Sequence, residues 1–183
     1  IEDQILPKRA HHHIGIEHLI PKELMTAKVK EAAVARRDES FLIIARTNAV
    51  RTSGIDDAIG RMEAYKKAGA DALLAIMRTP EEIRFISERL PPPLVYLCRP
   101  GGLVSTGLNA EEMGSMGDKL LCDLTTAMLS IHKAVSDIYA ELADGYSAQP
   151  PAQEGWLSLT EAMFDTICMK KLLEIKRATV ETG

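Results

Sequence analysis

The sequence predicts an α/β fold in which helices alternate with the strands of a parallel sheet. Three observations carry this. Short apolar runs begin near residues 41, 71, 93 and 119, so successive starts lie 22 to 30 residues apart. That interval holds one strand, one helix and two turns, which brings each strand back parallel to the last through a right-handed crossover. The runs are continuous rather than alternating, as in strands covered on both faces, and the stretches between them place apolar residues at helical spacing. A chain of 183 residues can bury one substantial core. A closed (β/α)8 barrel takes about 250 residues, so these repeats form either part of a barrel or an open sheet.

Each element has a local reason. "IED" at the start reads as the tail of a strand, as in a chain that begins mid-domain. "PKELMTAKVKEAAVARR" reads as a helix, and "FLIIART", Phe41 to Thr47, as a strand buried on both faces. Ile55, Ala58, Ile59, Met62 and Tyr65 define one face of a helix from Ile55 to Ala68. Ser53 and Asp56 resemble its capping box, and Gly69 stands where a helix-terminating glycine belongs. "DALLAI", Asp71 to Ile76, is the next strand. Thr79, Pro80 and Glu82 then supply an N-cap, a first-turn proline and a capping glutamate for a helix to Leu90. "PLVYLC", Pro93 to Cys98, and "KLLCD", Lys119 to Asp123, are strands flanking a short helix at Asn109 to Met116. A long helix from Leu124 to Leu142 carries Leu124, Met128, Ile131, Val135, Ile138 and Leu142 on one face. "GYSAQPPAQEG" reads as a linker. Ser158 and Glu161 read as a capping box for a last helical segment ending near Thr179. Its Met163, Phe164, Ile167, Leu172 and Ile175 would pack on a neighbouring chain or on their own barrel.

Composition narrows the function classes. A net charge of −4 leaves no basic excess for phosphate backbones, which argues against a general nucleic-acid binder. No apolar run approaches the ~20 residues of a membrane span. Cys98, Cys122 and Cys168 form neither a CxxC pair nor a zinc spacing, as expected of thiols in a reducing, cytoplasmic setting. No GxGxxG or P-loop is present.

In parallel α/β folds, chemistry gathers at the carboxyl ends of strands. Those positions here are Glu2 and Asp3, then Arg46, Thr47 and Asn48, then Cys98 and Arg99, then Asp123. A guanidinium on a buried strand needs an anion, so Arg46 meets a ligand carboxylate or phosphate, or pairs internally with Glu2 or Asp3. Glu2 and Asp3 read as ligands of a hard cation, directly or through water, or as structural caps. In "PKRAHHHIG", His11, His12 and His13 are adjacent and cannot converge on one ion without a distorted backbone. Lys8 and Arg9 read better as the anion-binding part of a loop at the mouth of the sheet, with His12 a candidate proton donor.

These segments, with "ARTNA" and "GIDDAIGRMEAYKKAGADALL", resemble the isocitrate lyase/phosphoenolpyruvate mutase superfamily, in particular its 2-methylisocitrate lyase-like and oxaloacetate decarboxylase-like members. The resemblance implies a (β/α)8 barrel of which this chain supplies roughly the second half. Residues 1–144 would run from the end of strand 4 to helix 8, residues 145–157 would be a linker, and residues 158–183 a C-terminal helical segment of the kind exchanged between subunits. It implies a Mg²⁺-dependent enzyme, with Mn²⁺ as a substitute, that acts on a small α-keto or α-hydroxy carboxylic acid. The reaction would be C–C cleavage or decarboxylation through an enolate. Carried over residue by residue, Glu2 supports the metal through water, and Arg46, with Asn48, binds substrate carboxylate. Lys8 and Arg9 are the "KR" of the catalytic loop, and His12 keeps the place of its histidine.

The departures bear on mechanism. Ala10 stands where lyases of the family carry their acid/base cysteine, His11 replaces a glycine, and Ile76 replaces a glutamate. Thr125 lies near the place of a histidine used by some decarboxylases. The aspartates that bind Mg²⁺ directly in the family belong to strands that would precede Ile1. Decarboxylation or retro-aldol cleavage is therefore expected ahead of the isocitrate route. A catalytically inactive scaffold or binding protein is one alternative, and P–C bond chemistry on a phosphonate is another. The expected partners are a small carboxylate and further copies of the chain, as a dimer or tetramer, with no nucleic acid and no membrane.

Overall fold

A computed structural model describes residues 1–7, 18–145 and 153–179. The chain divides into two units, Ile1–Ile131 and His132–Gly183. In the first unit, α1 (Lys22–Ala35) precedes β1 (Ile44–Thr47), and α2 (Ala49–Thr52) and α3 (Ile55–Lys67) follow. Then come β2 (Ala72–Ala75), α4 (Pro80–Ser87), β3 (Leu94–Cys98), a 3-10 turn (Leu103–Thr106), α5 (Ala110–Ser115) and β4 (Asp118–Asp123). The strands form one sheet in the order β1-β2-β3-β4, and every pairing is parallel.

Side-chain alternation divides the sheet into two faces. Ala45, Leu73, Ala75, Leu94, Tyr96 and Cys98 point to the helices and join the main core with Val29, Met62, Tyr65, Ile83, Ile86 and Met113. Ala72, Leu74 and Val95 form a second, smaller cluster with Ile44, Ile76 and Cys122, and no helix residue joins it. Strands with apolar residues on both faces follow from this double burial, which is why their sequences do not alternate.

Several local signals act as the sequence predicts. Thr79 Oγ1 accepts from the Glu82 amide at 3.2 Å, and the Glu82 carboxylate accepts from the Arg78 amide at 2.7 Å. Asn109 and Glu112 close a reciprocal capping box at the start of α5. Gly69 has φ +111°, and a Cβ there would stand 2.7 Å from that of Ala33. Only glycine both ends α3 and lets α1 approach this closely.

Other signals resolve differently. Phe41 and Leu42 are exposed and lie before β1, because regular pairing starts at Ile44 against Ala72. Ser53 and Asp56 form no capping box. Gly54, at φ +101°, precedes α3, and Ser53 Oγ donates to Asp57 instead. The helix expected to reach Leu90 ends at Ser87. Ser158 and Glu161 lie inside a helix that begins at Gln153, so they cap nothing.

The long helix α6 (Thr126–Ala143) keeps its apolar stripe, and Leu124, Met128, Ile131, Val135, Ile138 and Leu142 are all exposed. In the second unit, α7 (Gln153–Thr166) and α8 (Met169–Thr179) meet at Cys168, whose φ is +54°. Met163, Phe164, Ile167, Leu172 and Ile175 are likewise exposed. No helix among the described residues is long and apolar enough to cross a membrane.

Asp118, at the amino end of β4, is 3% exposed, and its carboxylate has no hydrogen-bond partner among the described residues. Burial pushes its pKa up to about 6. A raised carboxyl pKa stabilises the fold below the unfolded value and withdraws that stability as pH rises through the folded one. Asp118→Asn is therefore expected to raise stability at pH 7 by up to about 3 kcal/mol. In guanidinium titrations this gain should shrink between pH 6 and pH 4 and vanish below it.

Candidate active site

The site is built where the amino-terminal segment joins the sheet. Residue 2 bridges Arg46 in parallel register: the Asp3 amide donates to the Arg46 carbonyl at 3.2 Å, and the Arg46 amide donates to the Ile1 carbonyl at 2.8 Å. In extended backbone, neighbours point to opposite faces, so Glu2 and Asp3 have different fates.

Asp3 turns toward the helices and is fully buried. Its Oδ2 accepts from Thr47 Oγ1 at 2.6 Å, from the Tyr65 hydroxyl at 3.0 Å and from Arg61 Nη1 at 3.3 Å. Its Oδ1 accepts from the Asn48 amide at 3.2 Å. Burial first, and the Asp3 charge with it, push the Tyr65 phenol well above its ordinary pKa, so it remains a donor. Asp3 is thus a structural acceptor, consumed by its donors.

Glu2 turns the other way, onto the face of the smaller cluster. Its Oε2 lies 3.3 Å from Arg46 Nη1. Arg46 Nε donates to Asn48 Oδ1 at 3.2 Å. The guanidinium is about a quarter exposed, so it reaches the open end of the sheet while two neighbours hold it. Asn48 is fully buried, and its Nδ2 has no hydrogen-bond partner among the described residues. It serves to orient Arg46, with one donor left for a water or a ligand oxygen. A carboxylate approaching this rim would meet a planar fork already aimed.

The other strand ends are not equivalent. Asp123 is a helix cap: its Oδ1 accepts from the amides of Thr125 and Thr126 at 3.2 and 3.0 Å. The Cys98 side chain turns toward the helix-covered core, and burial pushes its thiol pKa up, so it offers no thiolate to replace the loop cysteine. Lys8, Arg9 and His12 lie outside the described residues. Arg51, Arg78 and Arg99 line a cleft over the ends of β2 and β3. Arg78 and Arg99 stand at strand ends and could be read there, whereas Arg51 lies one helical turn past β1, where nothing in the sequence marks it.

Similarity to known proteins identifies the family. The phosphoenolpyruvate phosphomutase (PEP mutase) family matches residues 1–142. The chain belongs to that family. A 2,3-dimethylmalate lyase of Eubacterium barkeri is 35% identical over 145 residues, covering 78% of this chain and 49% of the relative. The solved phosphoenolpyruvate phosphomutase of Streptomyces platensis subsp. rosaceus superposes with a TM-score of 0.78 at 26% identity, over 98% of this chain and 62% of the other. A phosphonopyruvate hydrolase solved with oxalate and Mg²⁺ shares the fold, with a TM-score of 0.69 at 23% identity over 100% of this chain and 62% of the other. The chain spans about half the length of the curated relatives it matches. Its four-stranded sheet is an arc of the superfamily's (β/α)8 barrel, and the smaller apolar cluster faces the barrel interior.

Among the described residues, no three His, Cys, Asp or Glu side chains converge as a metal site. Of the acids in this segment, Glu2 lies 3.3 Å from the Arg46 guanidinium, and Asp3 is taken up by its four donors. These residues do not constitute a Mg²⁺ site by themselves.

Removing the Asp3 carboxylate would strand three buried donors and the partly buried Arg61 charge, a change in the class that costs about 3–5 kcal/mol. Asp3→Ala is expected to lower the guanidinium unfolding free energy by at least about 3 kcal/mol. Glu2→Gln, on the partly exposed pair, should change it by less than about 1 kcal/mol.

Proposed function

We propose that the whole protein is a lyase-type enzyme that acts on a small α-keto or α-hydroxy carboxylic acid, by C–C cleavage or decarboxylation through an enolate. The observation that carries this reading is the Glu2–Arg46–Asn48 constellation at the carboxyl end of the parallel strands, with Arg46 Nη1 3.3 Å from Glu2 and Nε 3.2 Å from Asn48. The lyases among the relatives support the reaction class. Arg46 binds the substrate carboxylate, and Asn48 keeps the fork in plane. Lys8, Arg9 and His12 belong to the proposal as the loop that closes over the substrate and shields it from water.

Mg²⁺, or Mn²⁺ in its place, is part of this reading, with Glu2 meeting it through water. When bound, such a cation polarises the oxygens of the acid. The chain's own residues hold the carboxylate and balance the local charge. A homo-oligomer, dimer or tetramer, belongs to the same proposal, supported by the exposed apolar stripes of α6, α7 and α8. So does a cytoplasmic setting, supported by three free cysteines.

A second reading is a non-catalytic binding protein of the same fold. Ile76 on the barrel-facing side favours it, because its hydrocarbon side chain cannot transfer a proton.

Arg46→Ala in the full-length protein is expected to cut turnover at least a hundredfold, assayed with Mg²⁺ on oxaloacetate, 2-methylisocitrate, dimethylmalate and phosphonopyruvate. Turnover near that of the parent would remove Arg46 from the site. No turnover on any of the four, with no Mg²⁺-dependent shift in Tm, would favour the binding protein.

A further inference from the structure

Beside Arg46, a cleft of about 410 Å³ opens over the ends of β2 and β3. Three guanidinium-bearing residues line it: Arg51 from α2, Arg78 after β2 and Arg99 after β3. Its other lining residues are Ile76, Met77, Leu97 and Cys98, and no described carboxylate lines it. Of the two acids that follow Arg78, Glu81 and Glu82, the second is turned to the Arg78 amide at 2.7 Å. Three arginines thus line a rim with no described acid among its lining residues.

The cleft and Arg46 are neighbours by register. Thr47 pairs with Ala75, so Asn48 stands level with Ile76, which lines the cleft. Adjacent strands lie about 4.8 Å apart. A ligand whose carboxylate sits on Arg46 therefore needs only to cross Ile76 and Leu97, both apolar, to reach the second set of guanidinium groups. A hydrocarbon middle with an oxyanion at each end matches that order of surfaces.

We propose that the Arg51–Arg78–Arg99 cleft is an oxyanion subsite that receives a second anionic group, carboxylate or phosphoryl, of the ligand whose first carboxylate Arg46 holds. The proposal rests on the Arg46 reading for the first group but has its own test. Arg78 and Arg99 are exposed at chain turns, and Arg99 Nη1 donates to the Arg78 carbonyl at a weak 3.5 Å. Replacing both leaves the core intact.

The test is calorimetric titration of the full-length protein at low ionic strength with three probes: inorganic phosphate, oxalate and propane-1,2,3-tricarboxylate. The proteins are wild type, Arg46→Gln and the Arg78→Gln/Arg99→Gln double variant, each checked for an unchanged Tm. The double variant is expected to weaken phosphate and the tricarboxylate at least tenfold and oxalate less than twofold. Arg46→Gln should weaken oxalate and the tricarboxylate but leave phosphate within twofold. Unchanged phosphate and tricarboxylate affinities in the double variant would overturn the subsite. Should Arg46→Gln leave oxalate untouched while the double variant loses phosphate, the Arg46 anchor fails and the cleft stands as an anion site. The single variant Arg99→Gln, expected to weaken phosphate at least threefold, decides the matter if the double variant does not fold.

Discussion

One buried carboxylate organises the rest. Asp3 gathers a hydroxyl from β1, an amide from the turn after it, and a phenol and a guanidinium from α3. These donors would be costly to bury unpaired, and a buried charge without them would be costlier still. Their mutual satisfaction locks the amino-terminal segment against β1 and α3 in one register. Because strand side chains alternate, locking Asp3 outward aims Glu2 inward, where Arg46 waits. The Glu2–Arg46 pair is a by-product of a structural knot one residue away.

The rim itself is a problem in charge placement. The Glu2–Arg46 pair is too exposed to add much stability, so its worth lies in orientation. A guanidinium fixed by Glu2 on one side and Asn48 on another loses little freedom when an anion arrives. Across the same rim the potential acids are spent elsewhere. Asp3 is consumed by four donors, Asp123 by the first turn of α6, and Glu82 by the start of α4. Glu2 is paired with Arg46 there, while Arg51, Arg78 and Arg99 line the neighbouring cleft with apolar Ile76 and Leu97.

Much of the architecture was legible because its causes are local. Thr79, Pro80 and Glu82 announce α4, Asn109 and Glu112 announce α5, and Gly69 ends α3 for a steric reason visible in its residue type. The misreadings share a cause as well. Ser53/Asp56 and Ser158/Glu161 have the right letters, yet a backbone turn at Gly54 and a helix already running from Gln153 decide otherwise. Phe41 and Leu42 look like strand, but pairing with β2 begins only at Ile44. At the site, Arg46 and Glu2 could be named from strand ends and family resemblance. The commitment of Asn48 to Arg46 and the gathering of Arg51 with Arg78 and Arg99 could not, since each joins segments whose distance is set by the sheet.

The sequence by itself determined that strands and helices alternate, that the strands are buried on both faces, and which residues stand at their carboxyl ends. Those follow from periodicity, capping chemistry and chain length between repeats. Only the tertiary structure decided which of two adjacent carboxylates would be buried and which would face the guanidinium. That choice depends on strand register, and register is set by partners 44 to 62 residues away.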